Sequence, residues 1–163
     1  AFGVRLQEAV SLCPKEADWG GYLDVAWGTK GGRKRPVHIE NDYQRQVLEE
    51  AKRYANSSTG SLIPDTFKRR SWIRYVYRVF NACGIGRKHG IIPHGLRHQR
   101  ANDKYENLTG QKSPVRGGAS PADQNADKRA RLVVAEDLGH SRHQITGMYI
   151  GPMPKGNKKE VIS

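Results

Sequence analysis

The stretch His94-Gly95-Leu96-Arg97-His98, directly after Pro93, decides how the middle of this chain folds. It predicts the start of a helix that continues to about Asn107. His94 and Arg97 are three residues apart and would share one face of the first turn. The backbone amides beside them carry the positive end of the helix dipole, which favours an anion. The sequence therefore predicts a helix whose first turn can hold a negatively charged group.

Upstream of this helix, apolar spacing and turn residues predict a helix followed by a hairpin. Residues Val4 to Leu12 have helical spacing, and Cys13-Pro14 ends the element because proline cannot continue it. From Tyr22 to Trp27 and from Arg35 to Ile39, apolar and polar residues roughly alternate. The basic, glycine-rich stretch between them predicts a turn with Lys30 at its tip.

Two more helices are expected before Pro93. Asn41 is a good N-cap with Gln44 three residues later, and a stripe predicted to face a core follows: Val47, Leu48, Ala51, Tyr54 and Ala55. The next helix would start near Asp65 and end at Gly84, with a predicted buried stripe of Phe67, Ile73, Val76, Phe80 and Cys83. Its other face carries Lys68, Arg69, Arg70, Arg74 and Arg78. This basic row fits a solvated surface and a DNA-facing surface about equally well.

The last third of the chain contains an irregular segment and two short helical patterns. Leu108 to Asn125 is rich in Gly, Pro, Ser and Asn, so we expect a loop or flap rather than packed structure. A helix is predicted from Lys128 to Leu138, and Gly139 breaks it. A short helix from Ser141 would bring Tyr149 to the same side as His140. The expected fold class is α+β, mostly helical with a small antiparallel hairpin sheet.

Composition predicts one domain with a polyanionic partner. The 163 residues suit a single core, and 28 Lys and Arg against 16 Asp and Glu leave a formal charge of +12. No long apolar run or basic amphipathic helix with an apolar face suggests a membrane partner. The two cysteines are too few for a disulfide framework or a metal knuckle, and no signal peptide is visible, so we expect a cytoplasmic protein.

The order and spacing of the polar residues carry the functional signal. The chain contains Arg5-x-x-Glu8, Lys30 in the turn, His94-x-Leu96-Arg97-His98, Leu138-Gly139-His140, and Tyr149 nine residues after that histidine. This series resembles the catalytic signature of the tyrosine recombinase, or phage integrase, family from Val4 to Ile150. The resemblance implies a catalytic domain of that type. It makes Arg5 and Arg97 the phosphate-clamping arginines, Lys30 the hairpin lysine, His94 and His140 the two histidines, and Tyr149 the nucleophile.

The chemistry of phosphodiester cleavage asks for the same side chains. Guanidinium forks match the non-bridging oxygens that gain charge during attack. A tyrosine phenol with a pKa of about 10 needs a base or nearby cations to become a nucleophile at neutral pH. Lys30 is the candidate acid for the leaving 5′ oxygen. The resulting 3′-phosphotyrosyl link would let a second DNA end reverse the step without a metal or another cofactor.

Other interpretations of these residues stay open at this point. Arg5 and Glu8 could form a surface ion pair, and Arg33, Lys34 or Arg35 could replace Lys30. His94, His98, His140 and His143 could bind zinc in a metal-dependent nuclease. A non-catalytic basic DNA-binding module and a relaxing topoisomerase are the remaining alternatives.

The expected partner is double-stranded DNA, and the candidate DNA-binding residues are Arg33, Lys34, Arg35, Arg87, Lys88 and Arg100. The resemblance further implies a homo-oligomer, a tetramer, on DNA, with room for accessory DNA-bending proteins. It implies integration or excision of a mobile element as the use. Compared with the family, residues 108–125 look like a flexible insert, 152–163 a C-terminal tail, and the chain a C-terminal fragment of a longer integrase.

Overall fold

The computed structural model describes residues 1–29, 32–119, 123–140 and 143–152. Within these ranges the chain is mostly helical, with an antiparallel two-stranded sheet, as the expected fold class requires. The helices are α1 Leu6–Ser11, α2 Pro14–Ala17, α3 Asp42–Arg53, α4 Arg69–Ala82, α5 Pro93–Thr109, α6 Gln124–Asp137 and α7 Gly147–Ile150. The strands are β1 Tyr22–Val25 and β2 Arg35–His38, and 3₁₀ turns span Arg87–His89, Pro114–Arg116 and His143–Thr146.

The hairpin forms as its alternating pattern predicts. Leu23 pairs with Val37, and Val25 pairs with Arg35. The side chains of Leu23, Val25 and Val37 are completely buried, which places one face of the sheet on the core. Lys30, expected at the tip, lies outside the described residues.

Helix α3 begins at the predicted cap, where Asn41 Oδ1 accepts a hydrogen bond from the Gln44 amide at 3.0 Å. Leu48 is buried beneath it. The expected buried stripe is wrong at Tyr54, which is 72% exposed, because this residue lies beyond the last helical turn and points away from the core.

Helix α4 ends as predicted but starts later and is not buried. Gly84 adopts the left-handed conformation at φ +79°, which closes the helix as a glycine cap. The helix begins at Arg69 rather than near Asp65, and none of its residues is buried. Cys83, expected in the core, is exposed. The apolar residues of α4 lie on the face turned towards α1. Too little of the described chain packs on that face to bury them.

Two apolar clusters form the core. One joins α5, α6 and α7 through Ala101, Tyr105, Ala130, Val134, Leu138, Tyr149 and Ile150. The other joins the hairpin to α2 and α3 through Leu12, Ala17, Leu23, Val25, Val37 and Leu48. None of the helices in the described ranges combines the length and apolar character that crossing a bilayer requires.

The segment expected to be a loop from Leu108 to Asn125 is irregular but partly packed. Ser113 is completely buried, and its amide donates to Glu106 on α5 at 3.0 Å. Arg116 pairs with Asp103 at 2.7 Å and with Glu106 at 3.0 Å. The expectation of an unpacked loop is therefore wrong around Ser113 and Arg116. Carboxylates of α5 hold this part of the segment against the helix.

Candidate active site

The break after α6 brings Tyr149 back against His140. Gly139 takes φ +70°, which ends the helix and turns the chain. The 3₁₀ turn and α7 then return Tyr149 so that its hydroxyl oxygen lies 3.4 Å from His140 Nε2. Tyr149 is only 6% exposed, so its ring is packed into the site rather than lying on the surface.

The first turn of α5 faces the same tyrosine ring. The ring centroids of His94 and His98 lie 5.9 Å and 4.5 Å from that of Tyr149. The Arg97 guanidinium carbon lies 5.8 Å from the centre of the Tyr149 ring. His94, Arg97, His140 and Tyr149, which are scattered along the sequence, therefore converge on one place.

Arg97 is held rigidly in this site. It is 2% exposed, and its Nη1 atom donates to the Gly3 carbonyl at 2.8 Å while Nη2 donates to the Leu138 carbonyl. Its Nε atom has no hydrogen-bond partner among the described residues. Arg97 also lines a cleft of about 200 Å³ together with Arg5 and His94. Two cations and a histidine thus contribute to the lining of one small cleft, a combination that suits an anion.

Glu8 fixes the orientation of Arg5. Arg5 is the N-cap of α1, and both its amide and its Nη1 atom donate to the Glu8 carboxylate at 2.7 Å. Arg35 donates to the same carboxylate at 3.0 Å and 2.8 Å. Burial by itself would raise the pKa of Glu8, but these hydrogen bonds from Arg35 and Arg5 outweigh it and lower the pKa to about 2. The carboxylate therefore stays charged, and the simple surface pair is ruled out.

Two candidate DNA-binding cations are committed to internal ion pairs. Arg35 is 6% exposed, and besides Glu8 it binds the Asp137 carbonyl at 2.9 Å. Arg100 pairs with Glu40, and its side chain is 13% exposed. These contacts leave both guanidinium groups less available to DNA than expected. The assignment of Arg35 and Arg100 to DNA contact, and of Arg35 as a replacement for Lys30, stays a prediction.

The other candidate cations are exposed and line two clefts beside the site. Arg33 and Lys34 line a cleft of about 610 Å³ that includes His140. Arg87 and Lys88 line a groove of about 630 Å³ between α4 and α5 that includes His94. The basic row on α4, which is Lys68, Arg69, Arg70, Arg74 and Arg78, is exposed too and pairs with no carboxylate in the described ranges.

The histidines of the site are neutral at physiological pH. Burial lowers the pKa of His140, and the charges of Arg97, Arg5 and Arg35 lower it further, to about 4. Burial and neighbouring positive charge lower the pKa of His94 and of His98 as well. A neutral imidazole next to a phenol can accept its proton, which a charged imidazole cannot.

Sequence reasoning left three contributors to the site unassigned. Glu8 was visible in the Arg5-x-x-Glu8 pattern, but its burial depends on Arg35, far along the chain. His98 is absent from the predicted catalytic set, although its ring lies nearest to that of Tyr149 among the three site histidines. Asn102 gave no signal, and its side-chain amide donates to the Tyr149 carbonyl at 3.1 Å.

Metal binding by the histidine set finds no support in the described part of the chain. No three His, Cys, Asp or Glu residues there are grouped so that they could hold one ion. The side chain of His143, the fourth member of the zinc alternative, lies outside what the structure describes.

Comparison with known families assigns the chain. The family model described as "Integrase" matches residues 1–103, which is more than half of the 163 residues. The chain belongs to this integrase family, which confirms the resemblance to phage integrases and tyrosine recombinases. Neither the comparison with curated proteins nor that with solved structures found a match. Membership implies a recombinase or integrase that binds DNA.

The family match and the folded structure support the site in different ways. The matched residues include Arg5, Lys30, His94 and Arg97, but the match ends before His140 and Tyr149. Those two residues are placed beside the matched ones by the fold alone.

Proposed function

We infer that residues 1–163 form one catalytic domain that cuts and rejoins DNA at specific sites through Tyr149, in integration or excision of a mobile element. The observation that carries this inference is the short distance between Tyr149 Oη and His140 Nε2, 3.4 Å, next to the Arg97 guanidinium. A nucleophile, a neutral base and a buried cation are thus neighbours.

In the proposed step, Tyr149 Oη attacks a backbone phosphorus and the bond to the 5′ oxygen breaks. His140 accepts the phenol proton, and Lys30, the proposed acid, gives a proton to the leaving 5′ oxygen. The product is a 3′-phosphotyrosyl bond and a free 5′ hydroxyl. Because that bond retains the energy of the phosphodiester, a 5′ hydroxyl from another strand can reverse the reaction.

Arg5 and Arg97 would stabilise the charge that develops on the non-bridging oxygens. Their guanidinium groups line one cleft with His94, and each is oriented by partners within the fold, Glu8 for Arg5 and two carbonyls for Arg97. Such preorganised donors gain most in a site from which water is excluded. His94 would add a hydrogen bond to the same phosphate.

The DNA duplex would lie on the exposed cations around the site. Arg33 and Lys34 flank the cleft that includes His140, while Arg87 and Lys88 flank the groove that includes His94. The basic row of α4 extends this second surface. Phosphate neutralisation by such groups gives affinity without sequence preference. Because recombination joins two duplexes, several copies of the chain would act together, as a tetramer.

The direct test is covalent capture on nicked DNA. A recombination site is first selected from a random library by its attachment to the protein, and the selected DNA is then offered to wild type, Tyr149→Phe and Tyr54→Phe. Wild type should form an adduct. Tyr54→Phe should form one too, because Tyr54 is an exposed residue that directly follows α3. Tyr149→Phe should bind the DNA but form none, and a chelator should change neither result.

Each competing function gives a different outcome in this experiment. An adduct that persists in Tyr149→Phe places the nucleophile elsewhere. Cleavage without an adduct that stops on chelation identifies a metal-dependent nuclease. Binding with steep salt dependence and no cleavage identifies a non-catalytic module. Relaxation of supercoils without exchange between two sites identifies a topoisomerase.

A further inference from the structure

A buried arginine on α6 holds the backbone that directly follows the Tyr149 helix. Arg131 is completely buried, and its Nη1 and Nη2 atoms donate to the carbonyls of Gly151 and Pro152 at 3.0 Å and 3.2 Å. The Nε atom donates to both oxygens of Asp127 at 3.0 Å and 2.9 Å. Each of the three guanidinium nitrogens is therefore hydrogen-bonded, to one carboxylate and two carbonyls.

Tyr105 on α5 completes this arrangement. Its hydroxyl donates to Asp127 Oδ1 at 2.6 Å, and its ring centre lies 5.6 Å from the Arg131 guanidinium carbon. Tyr105 and Asp127 are as deeply buried as Arg131. Burial and the neighbouring Asp127 carboxylate raise the pKa of Tyr105, so this phenol remains a hydrogen-bond donor.

General stability explains such a group poorly. Removing two opposite charges from water costs several kcal/mol per ion. Apolar residues of similar volume often give a fold of equal or greater stability. A guanidinium fork, by contrast, fixes the direction and spacing of the groups it binds. Arg131 binds the two residues that directly follow α7, Gly151 and Pro152.

Helix α7 needs anchors of this kind because it has only four residues, Gly147–Ile150. A helix of that length does not hold its own geometry in water. Asn102 binds the Tyr149 carbonyl, and Gly151 packs so tightly that a Cβ there would lie 2.9 Å from the Val115 amide nitrogen. Arg131 binds the carbonyls of Gly151 and Pro152, the two residues that follow α7, so it holds the chain where the helix ends.

We propose that the buried group Tyr105, Asp127 and Arg131 is a positioning device for the proposed nucleophile, which holds Tyr149 in line with His140 by fixing the Gly151 and Pro152 carbonyls. The three side chains touch no reacting atom. They act through the backbone of α7. This inference rests on the proposed function only for its effect on rate, since the anchoring of α7 is measurable without any DNA.

The first test measures anchoring in the protein alone. Arg131→Lys keeps the charge but cannot reach two carbonyls and a carboxylate together, and Tyr105→Phe removes one hydrogen bond from Asp127. Amide hydrogen exchange over residues 147–151 should rise about tenfold in Arg131→Lys, the change expected for one lost charge-assisted hydrogen bond, and less in Tyr105→Phe. Unchanged exchange over these residues in both variants overturns the proposal.

The second test separates positioning from general stability. The controls are Leu48→Val and Leu48→Ala in the other core cluster, and Arg131→Lys and Tyr105→Phe are each compared with the control whose melting temperature matches their own. Adduct formation on nicked DNA should fall about 10-fold to 100-fold in Arg131→Lys, as for a nucleophile displaced by about 1 Å, with DNA affinity nearly unchanged. Equal loss of rate in the Leu48 control overturns the proposal.

Should wild type form no adduct, the proposed function fails, and the exchange result still decides whether the buried group anchors α7. Should Arg131→Lys not fold, Tyr105→Phe and its control decide alone.

Discussion

His140 Nε2 lies 3.4 Å from the hydroxyl of Tyr149, nine residues further along the chain, and this imidazole is neutral. Burial and the charges of Arg97, Arg5 and Arg35 lower its pKa from 6.5 to about 4. The imidazole is therefore unprotonated at neutral pH and can accept a hydrogen bond from the phenol. The same feature makes the fold sensitive to acid.

The pKa of His140 predicts a specific loss of stability in acid. Below its ordinary pKa of 6.5 the unfolded chain binds a proton at this position, whereas the folded chain does not until the pH approaches about 4. The unfolded state is then favoured, so the contribution of His140 to stability becomes unfavourable as the pH falls through this window. His140→Gln cannot titrate and should lose less stability than wild type between about pH 7 and pH 4.5.

Denaturant unfolding at several pH values checks this prediction. The difference in free energy of unfolding between His140→Gln and wild type should shift in favour of the variant as the pH is lowered. The two pH curves would run parallel if His140 titrated alike in the folded and unfolded chains, and this would contradict the lowered pKa of the folded state.

Glu8 should be among the most costly carboxylates to neutralise. Its side chain is fully buried between Arg5 and Arg35, so Glu8→Gln leaves two guanidinium groups without their counter-charge. Breaking a buried ion pair in this way costs about 3 to 5 kcal/mol in free energy of unfolding. Thermal and denaturant unfolding at neutral pH measure this loss directly.

Glu50→Gln is the matched control for this substitution. Glu50 also pairs with an arginine three residues along a helix, Arg53, but the two side chains are 50% and 75% exposed. Such an exposed pair contributes less than about 1 kcal/mol. If both variants lost equal stability, Glu8 would not hold the site together.

Local sequence chemistry predicted the elements of this fold better than their burial. The Asn41 cap, the glycine at Gly84 and the alternation of the hairpin act within a few residues, and each forms as expected. Tyr54 and Cys83 continue apolar stripes yet are exposed. Periodicity identifies the apolar side of a helix, but it does not say how far the rest of the chain covers that side.

The ionic part of the site was the least predictable, for a physical reason. A cation on the surface and a cation inside an ion pair have the same sequence signature, and only the folded position of the carboxylate separates them. Arg35 reaches Glu8 across 27 residues, and Arg131 reaches Gly151 across 20. By contrast, the residues proposed to carry out the chemistry were predicted from their order and spacing, which do not depend on burial.

Arg97→Lys should separate phosphate binding from catalysis. Lysine cannot bind the Gly3 and Leu138 carbonyls together and still present a donor to DNA, because it lacks the planar fork. The rate of adduct formation should fall by about 100-fold or more, as for other lost transition-state donors, while DNA affinity changes little. Single-turnover capture on nicked DNA gives the rate. A loss smaller than about threefold would show that Arg97 has a purely structural task.

The exposed basic row of α4 predicts how DNA affinity depends on salt. Arg74 and Arg78 lie beside the groove that leads past Tyr77 towards His94, and no carboxylate of the described chain pairs with them. If each neutralises one phosphate, the double substitution Arg74→Gln and Arg78→Gln makes the negative slope of log K against log salt shallower by about 1.8. Arg53→Gln, an exposed cation on α3 that is paired with Glu50, should leave the slope unchanged. Fluorescence titrations of labelled duplex at several salt concentrations supply the slopes. Equal slopes for wild type and the double variant would assign the α4 row to solvent, and the duplex would then lie on the cations of the hairpin side.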